Sequence, residues 1–311
     1  MRKRISNTFL FIKQVFTEFF NDDIFKYSAS LAYYTVFALA PMLIVIFSIS
    51  GVLLGKEAMQ GEVYAQISGM VGAEAAIQVQ DTIKNSAIKG NNFFASTVSI
   101  IILFVAATGV FGEIQDSLNK IWGLKATPKH GWMKLLINRV LSFSLIVSLG
   151  FIMMVSLLLN ALVASLSKYL GQFTSDFSVI LVKILDYTLA FAVTTFIYAL
   201  IFKVLPDAKI KWRDVIVGAI FTAVFFTLGK LGIGYYLGKS NLSSVYGAAG
   251  SIIIIMLWVY YSSIILYLGA EFTKVYAKLY GGKIFPNEYA TWIKTEEVEV
   301  SNPALKQKVL D

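Results

Sequence analysis

Three ionisable side chains fall deep inside the long apolar runs of this 311-residue chain: Lys183, Asp186 and Lys230. Each costs about 2.5–3.5 kcal/mol to place at the centre of a lipid layer, so each needs a partner or water. Lys183 and Asp186 lie three apart and share one helical face. Asp186 is seven residues into the fourth apolar run, and Lys230 is seven residues before the end of the fifth. Successive runs cross in opposite directions. The two groups therefore share a level, roughly 10–12 Å below one surface at about 1.5 Å per residue. The expectation is that Asp186 meets Lys230, Lys183 or both around an outward-facing polar cavity. The chemistry of such a cavity is passage of an ion or an amphiphile. A plainer arrangement has both lysines snorkelling to the interface, with Asp186 neutralised by Lys183.

Two further groups could act at the ends of the runs. Glu113, Arg139, Arg213 and Glu271 fall at inner ends, where ion pairs among them would lock the cytoplasmic side. Gly234, Gly238, Asn241, Tyr246 and Gly247 could shape an irregular outer mouth. Irregular backbone at membrane depth is tolerated only against protein or water. Close helix packing is the other use of so many glycines.

Other chemistry is excluded by composition. The chain has no cysteine and one histidine, His130, so disulfides, thiolate catalysis and multi-histidine metal sites are absent. There is no phosphate-cradling glycine loop, no His-Glu-x-x-His, no Gly-x-Ser-x-Gly and no set of carboxylates spaced for a metal. No enzyme activity, cofactor or metal is expected.

The elements that must position these residues are membrane spans. The chain is 57% hydrophobic and 15% charged, against about 25% charged in soluble domains. Residues 248–270 carry no charge at all, enough to cross roughly 30 Å of hydrocarbon. Six spans are read: 28–54 with Pro41 and a kink expected near Phe37, then 93–113, 140–166, 179–202, 215–237 and 248–270. Residues 1–27 form a cytoplasmic amphipathic segment, in which Phe9, Ile12, Phe16, Phe19 and Phe20 recur at helical spacing behind Arg2, Lys3 and Arg4. It would lie on the membrane face or pack under the bundle. Residues 55–92 read as an outer amphipathic loop, and 114–138 as an inner loop with Trp122 and Trp132 at the interface. The six-helix domain is taken as 28–277, followed by a partly disordered cytoplasmic tail, 278–311.

Charge placement sets the orientation. With the amino terminus inside, five basic residues precede the first span, five lie between spans two and three, four between spans four and five, and six follow span six. The outer segments hold five. That bias places both termini in the cytoplasm. It also explains the net charge of +8 without nucleic acid as a partner.

Three stretches carry a family likeness: SASLAYYTVFALAPMLIV, LPDAKIKWRDVIVGAIFTAVFF and SVYGAAGSIIIIMLWVYYSSIILYLGAEFTKVYA. They resemble the YihY/BrkB family of bacterial inner-membrane proteins over roughly residues 10–280. The resemblance implies six transmembrane helices in the cytoplasmic membrane and a link to serum resistance and envelope integrity. Some members carry the label ribonuclease BN, which finds no support in these residues. No site residue can be carried over. The expected protein is therefore an all-α membrane protein of transport type, handling a lipid, an amphiphile or an ion. The alternative is a non-transporting scaffold for envelope assembly, and a membrane-bound ribonuclease comes last. Its partners would be membrane lipids and either further copies of itself or envelope proteins.

Overall fold

In a computed structural model, the chain is described over residues 2–53, 109–127, 176–239 and 250–293. Residues 93–108 of the second span, the third span, the loop 55–92, Arg139, Trp132 and His130 lie outside the described residues. Six helices are seen: α1 (Arg2–Asn21), α2 (Ile24–Leu53), α3 (109–121), α4 (Asp176–Val204), α5 (Trp212–Lys239) and α6 (Gly250–Leu279). Four short strands join them: β1 (Leu124–Ala126), β2 (Ala208–Lys209), β3 (Phe285–Pro286) and β4 (Ala290–Trp292). Three of the helices are long and apolar enough to cross a membrane, over Tyr187–Val204, Trp212–Ile233 and Ile252–Leu279. The helical assignment of α2 runs unbroken through Pro41.

α6 is the central helix. It packs against α2, α5 and α1, while α4 packs on the far side of α5. Small residues let α5 and α6 approach closely. A Cβ on Gly218 of α5 would fall on the Thr273 side chain of α6, and a Cβ on Gly269 of α6 would fall on Thr222 of α5. Each threonine therefore fills the other helix's glycine notch. Both hydroxyls are buried and both are satisfied within their own helix. Thr222 Oγ1 donates to Gly218 O and Thr273 Oγ1 to Gly269 O, each at 2.7 Å. Lipid offers no hydrophobic drive for helix association, so this kind of steric fit carries it.

The glycine-rich part of α5 does not break the helix. The assignment runs through Gly229, Gly232, Gly234 and Gly238 to Lys239. Gly229 packs tightly under the Tyr261 side chain of α6, whereas Gly232 has open space. Close packing is thus the use made of Gly229. Asn241, Tyr246 and Gly247 of the expected outer mouth lie outside the described residues.

The buried core collects at one end of the bundle. Leu118, Ile121, Trp122, Phe202, Val215, Ala219, Tyr267 and Ala270 meet there. The loop reading of 114–138 is corrected at its start, because α3 continues to residue 121. Trp122 is corrected with it. Rather than lying at an interface, it is buried, and its indole N–H donates to Ala270 O of α6 at 3.1 Å. A buried indole needs such an acceptor.

The same end continues beyond α6, into the segment that the sequence reading takes as a partly disordered tail, whose residues 280–293 are described. β4 pairs antiparallel with β1, Leu124 opposite Trp292, and β3 pairs antiparallel with β2, Lys209 opposite Phe285. Asp207, in the turn between α4 and α5, ties this platform together. Its carboxylate accepts from Asn119 Nδ2 (3.0 Å) and Gln115 Nε2 (3.3 Å), and its N–H donates to Asn119 Oδ1 (2.8 Å). Its carbonyl accepts from Asn287 N at 3.0 Å. Asp214, in the first turn of α5, accepts from Gly282 N at 2.8 Å. A Cβ on Gly281 would strike that carboxylate, which accounts for the glycine pair after α6.

Gly269→Ala should lower the stability of the detergent-solubilised protein by about 1–3 kcal/mol, as overpacking does. Gly232→Ala, which meets nothing, should leave the thermal midpoint nearly unchanged. Equal effects would show that α5 and α6 do not interlock as described.

Candidate functional site

The main ionisable cluster joins α1 to α6. α1 ends at Asn21, and the chain turns through Asp22 and Asp23 into α2. Asp23 takes a φ of 51°, a left-handed turn that aspartate tolerates better than most residues. The turn brings Asp22 level with Glu18, one helical turn earlier. Both face Lys274 of α6. Its ammonium donates to Asp22 Oδ2 at 2.7 Å and to Glu18 Oε2 at 2.9 Å, and lies 3.2 Å from Glu271 Oε2. Glu271, one turn earlier on α6, is fully buried, while the other three keep partial access to water.

This arrangement has a charge imbalance. Carboxylate oxygens of Glu18, Asp22 and Glu271 lie within 4.8 Å of one another, close enough to share one cation. Lys274 supplies that cation from within the chain. Removing it would leave three carboxylates facing each other, one of them out of reach of water. Glu271 is therefore tied to α1 through Lys274, and the cation expected from Arg213 is supplied by its own helix. Arg213 is exposed on α5.

Glu113 is half-buried on α3, near the foot of α2. Tyr27 lies there, with Lys120 Nζ 5.2 Å from its ring centre and Tyr267 packed edge-on at 6.4 Å. Burial first, then the carboxylates of Asp23, Asp22 and Glu113, push the Tyr27 hydroxyl above its ordinary pKa. It stays a neutral phenol in an acidic corner.

The candidate cavity is placed by backbone. α4 and α5 pack together and are joined by the short turn 205–211. Asp186 lies eighteen residues before the end of α4, and Lys230 eighteen residues after the start of α5. Both are thus roughly 27 Å from the shared turn along their helices. The Lys230 side chain is exposed. The side chains of Lys183 and Asp186 lie outside the described residues. Half of the Lys274 cluster is legible in the sequence, since Glu271 and Lys274 lie three apart on one helical face. Its link to Glu18 and Asp22 was missed by sequence reasoning, and their helical spacing was the one signal of it.

Long apolar helices around a central span, a polar platform at one end and an ion cluster at its edge define a polytopic α-helical membrane protein. The chain belongs to the family described as virulence factor BrkB, whose pattern matches residues 15–288. It is 28% identical over 259 residues to a UPF0761 membrane protein of Stenotrophomonas maltophilia, covering 81% of this chain and 57% of that one. A UPF0761 membrane protein of Saccharophagus degradans is 25% identical, over 86% of this chain and 60% of its own length. Another, from Pseudoalteromonas atlantica, is 24% identical over 88% of both chains. The chain thus spans somewhat over half the length of the first two relatives. No solved structure matches it.

Lys274→Met should destabilise the protein by about 3 kcal/mol or somewhat less, since three of the four groups keep contact with water. Adding Glu271→Gln should recover part of the loss, measured as a double-mutant cycle of thermal unfolding in detergent. Additive losses would mean that the two side chains do not interact.

Proposed function

We propose that this protein is a transport-type protein of the bacterial cytoplasmic membrane, with both termini in the cytoplasm, that passes a lipid, an amphiphile or an ion, and is not an enzyme. The observation that carries the reading is the matched level of Asp186 and Lys230 on two packed, antiparallel helices. Charges kept at membrane depth cost insertion energy, and a pathway gives them a use. The orientation rests on the basic residues gathered at the platform end, among them Lys203, Lys209, Lys211 and Arg213.

A scaffold role in envelope assembly is the second reading. It is favoured by the platform, where Phe285 and Trp292 of the strands and Tyr289 of the turn between them are exposed within eight residues of one another. Exposed aromatics of this kind suit a protein partner.

Proteoliposomes separate the two. Wild-type protein should speed translocation of a fluorescent lipid, or proton or sodium leak, above empty vesicles. Lys230→Met and Asp186→Asn should each reduce that flux about tenfold or more, with the fold intact, as loss of one charged hydrogen-bonding group from a pathway does. No flux above empty vesicles for any of the three would leave the scaffold. Flux unchanged in both variants would keep transport and move the pathway away from α4 and α5.

A further inference from the structure

We infer that α1 is an interfacial helix, half sunk in the anionic cytoplasmic leaflet through Phe9, Ile12, Phe16 and Phe20, and held there by α6. The inference rests on the spanning orientation proposed above and holds whether or not anything is transported.

α1 has three sectors. Phe11, Val15 and Phe19 are buried, the first two against Val275, Phe272 and Tyr276 of α6. Gln14, Thr17 and Asn21 form a mostly polar sector that also carries the exposed Leu10. Between them runs a second apolar stripe at three- and four-residue steps: Phe9, Ile12, Phe16 and Phe20, which are 68%, 49%, 50% and 67% exposed. A helix that only packed under the bundle would need no such stripe. Four large apolar side chains in one row form a patch of the size that marks a binding surface.

The angle of α1 fits a leaflet. Phe11 meets Phe272 of α6 edge-on and Tyr280, just past the end of α6, at a tilt, with 5.1 and 5.8 Å between ring centres. Asp22, roughly 16 Å further along α1, still bonds Lys274, which lies between those two residues in sequence. α1 therefore crosses α6 steeply instead of running beside it. If α6 spans the membrane, α1 lies close to the membrane plane.

The stripe is also continuous with the outer surface of a span. Phe20 touches Phe25, with ring centres 6.2 Å apart. Phe25 starts the exposed row Phe25, Ala29, Tyr33, Phe37 along α2. An apolar surface that passes from α2 onto α1 without interruption meets the same solvent on both, which is lipid. Arg2, Lys3, Arg4 and Lys13 add positive charge. Basic residues beside an apolar helical face favour anionic headgroups, by about 1 kcal/mol each near the surface.

The chain has no cysteine, so single-cysteine variants report one position each. Phe9→Cys, Phe16→Cys, Gln14→Cys and Asn21→Cys would be labelled with an environment-sensitive fluorophore. The full-length protein would be reconstituted in phosphatidylethanolamine with phosphatidylglycerol, with or without a nitroxide on the acyl chain. All four sites are at least partly open, and thermal unfolding checks each fold. Labels at Phe9 and Phe16 should be blue-shifted and quenched several-fold, and those at Gln14 and Asn21 should not. Replacing phosphatidylglycerol by phosphatidylcholine should weaken the quenching. Blue-shifted labels that lipid nitroxides do not quench would overturn the inference in favour of a protein covering the stripe. Equal quenching at all four positions would overturn it too, and unchanged quenching in phosphatidylcholine would overturn the anionic preference.

Discussion

The reciprocal fit of Thr222 and Thr273 into Gly269 and Gly218 is the contact on which the remaining arrangement rests. It fixes how near α5 and α6 come and at which register. Glu271 and Lys274 sit on the same turns of α6 as Gly269 and Thr273. Once that register is set, Lys274 has one place to find its carboxylates, and Asp214 has one place to meet the chain leaving α6. Side-chain length matters here more than hydrophobicity. A lipid-embedded interface gains little from burying apolar area, so the loss of one methyl-sized notch cannot be offset by stickiness elsewhere.

The ion cluster plays a different part from the interlock. α1 is attached to the bundle by a few apolar contacts and by one lysine shared among three carboxylates. The hydrophobic half could slide along α6 by a turn at modest cost. The charged half cannot, because a displaced Glu271 would stay buried with no cation beside it. The cluster therefore specifies position more than it adds stability. It links α1 to the helix at the centre of the fold.

Much of the skeleton was legible from hydropathy. The spans read at 179–202, 215–237 and 248–270 became α4, α5 and α6; α4 and α5 are each longer by two or three residues at both ends, and α6 starts two residues later and runs nine residues further, because hydropathy falls before the helix does. The amphipathic start was legible from period alone as one apolar face, whereas the separate buried face of Phe11 and Val15 was not. What stayed hidden is long-range. Nothing near Lys274 in sequence announces Glu18 and Asp22, 256 and 252 residues away. Strands of two or three residues have too little length for a period of two to register. Trp122 followed the general habit of tryptophan at membrane interfaces, until a carbonyl on α6 took its N–H. Of the expected site residues, Glu271 proved to sit in a cluster, though with a different cation, and Lys230 is exposed.

The ladders at the platform also set an order of events during synthesis. β1 cannot pair until β4 exists, and Leu124 waits for Trp292. β2 waits in the same way for β3. By then every span before them has been made and α6 has entered the membrane. Until that moment both strands have open edges. The final paired residues thus act as a closing clasp, joining segments laid down at three separate times. A chain cut short before residue 285 would carry α1 to α6 and still leave that end unsealed.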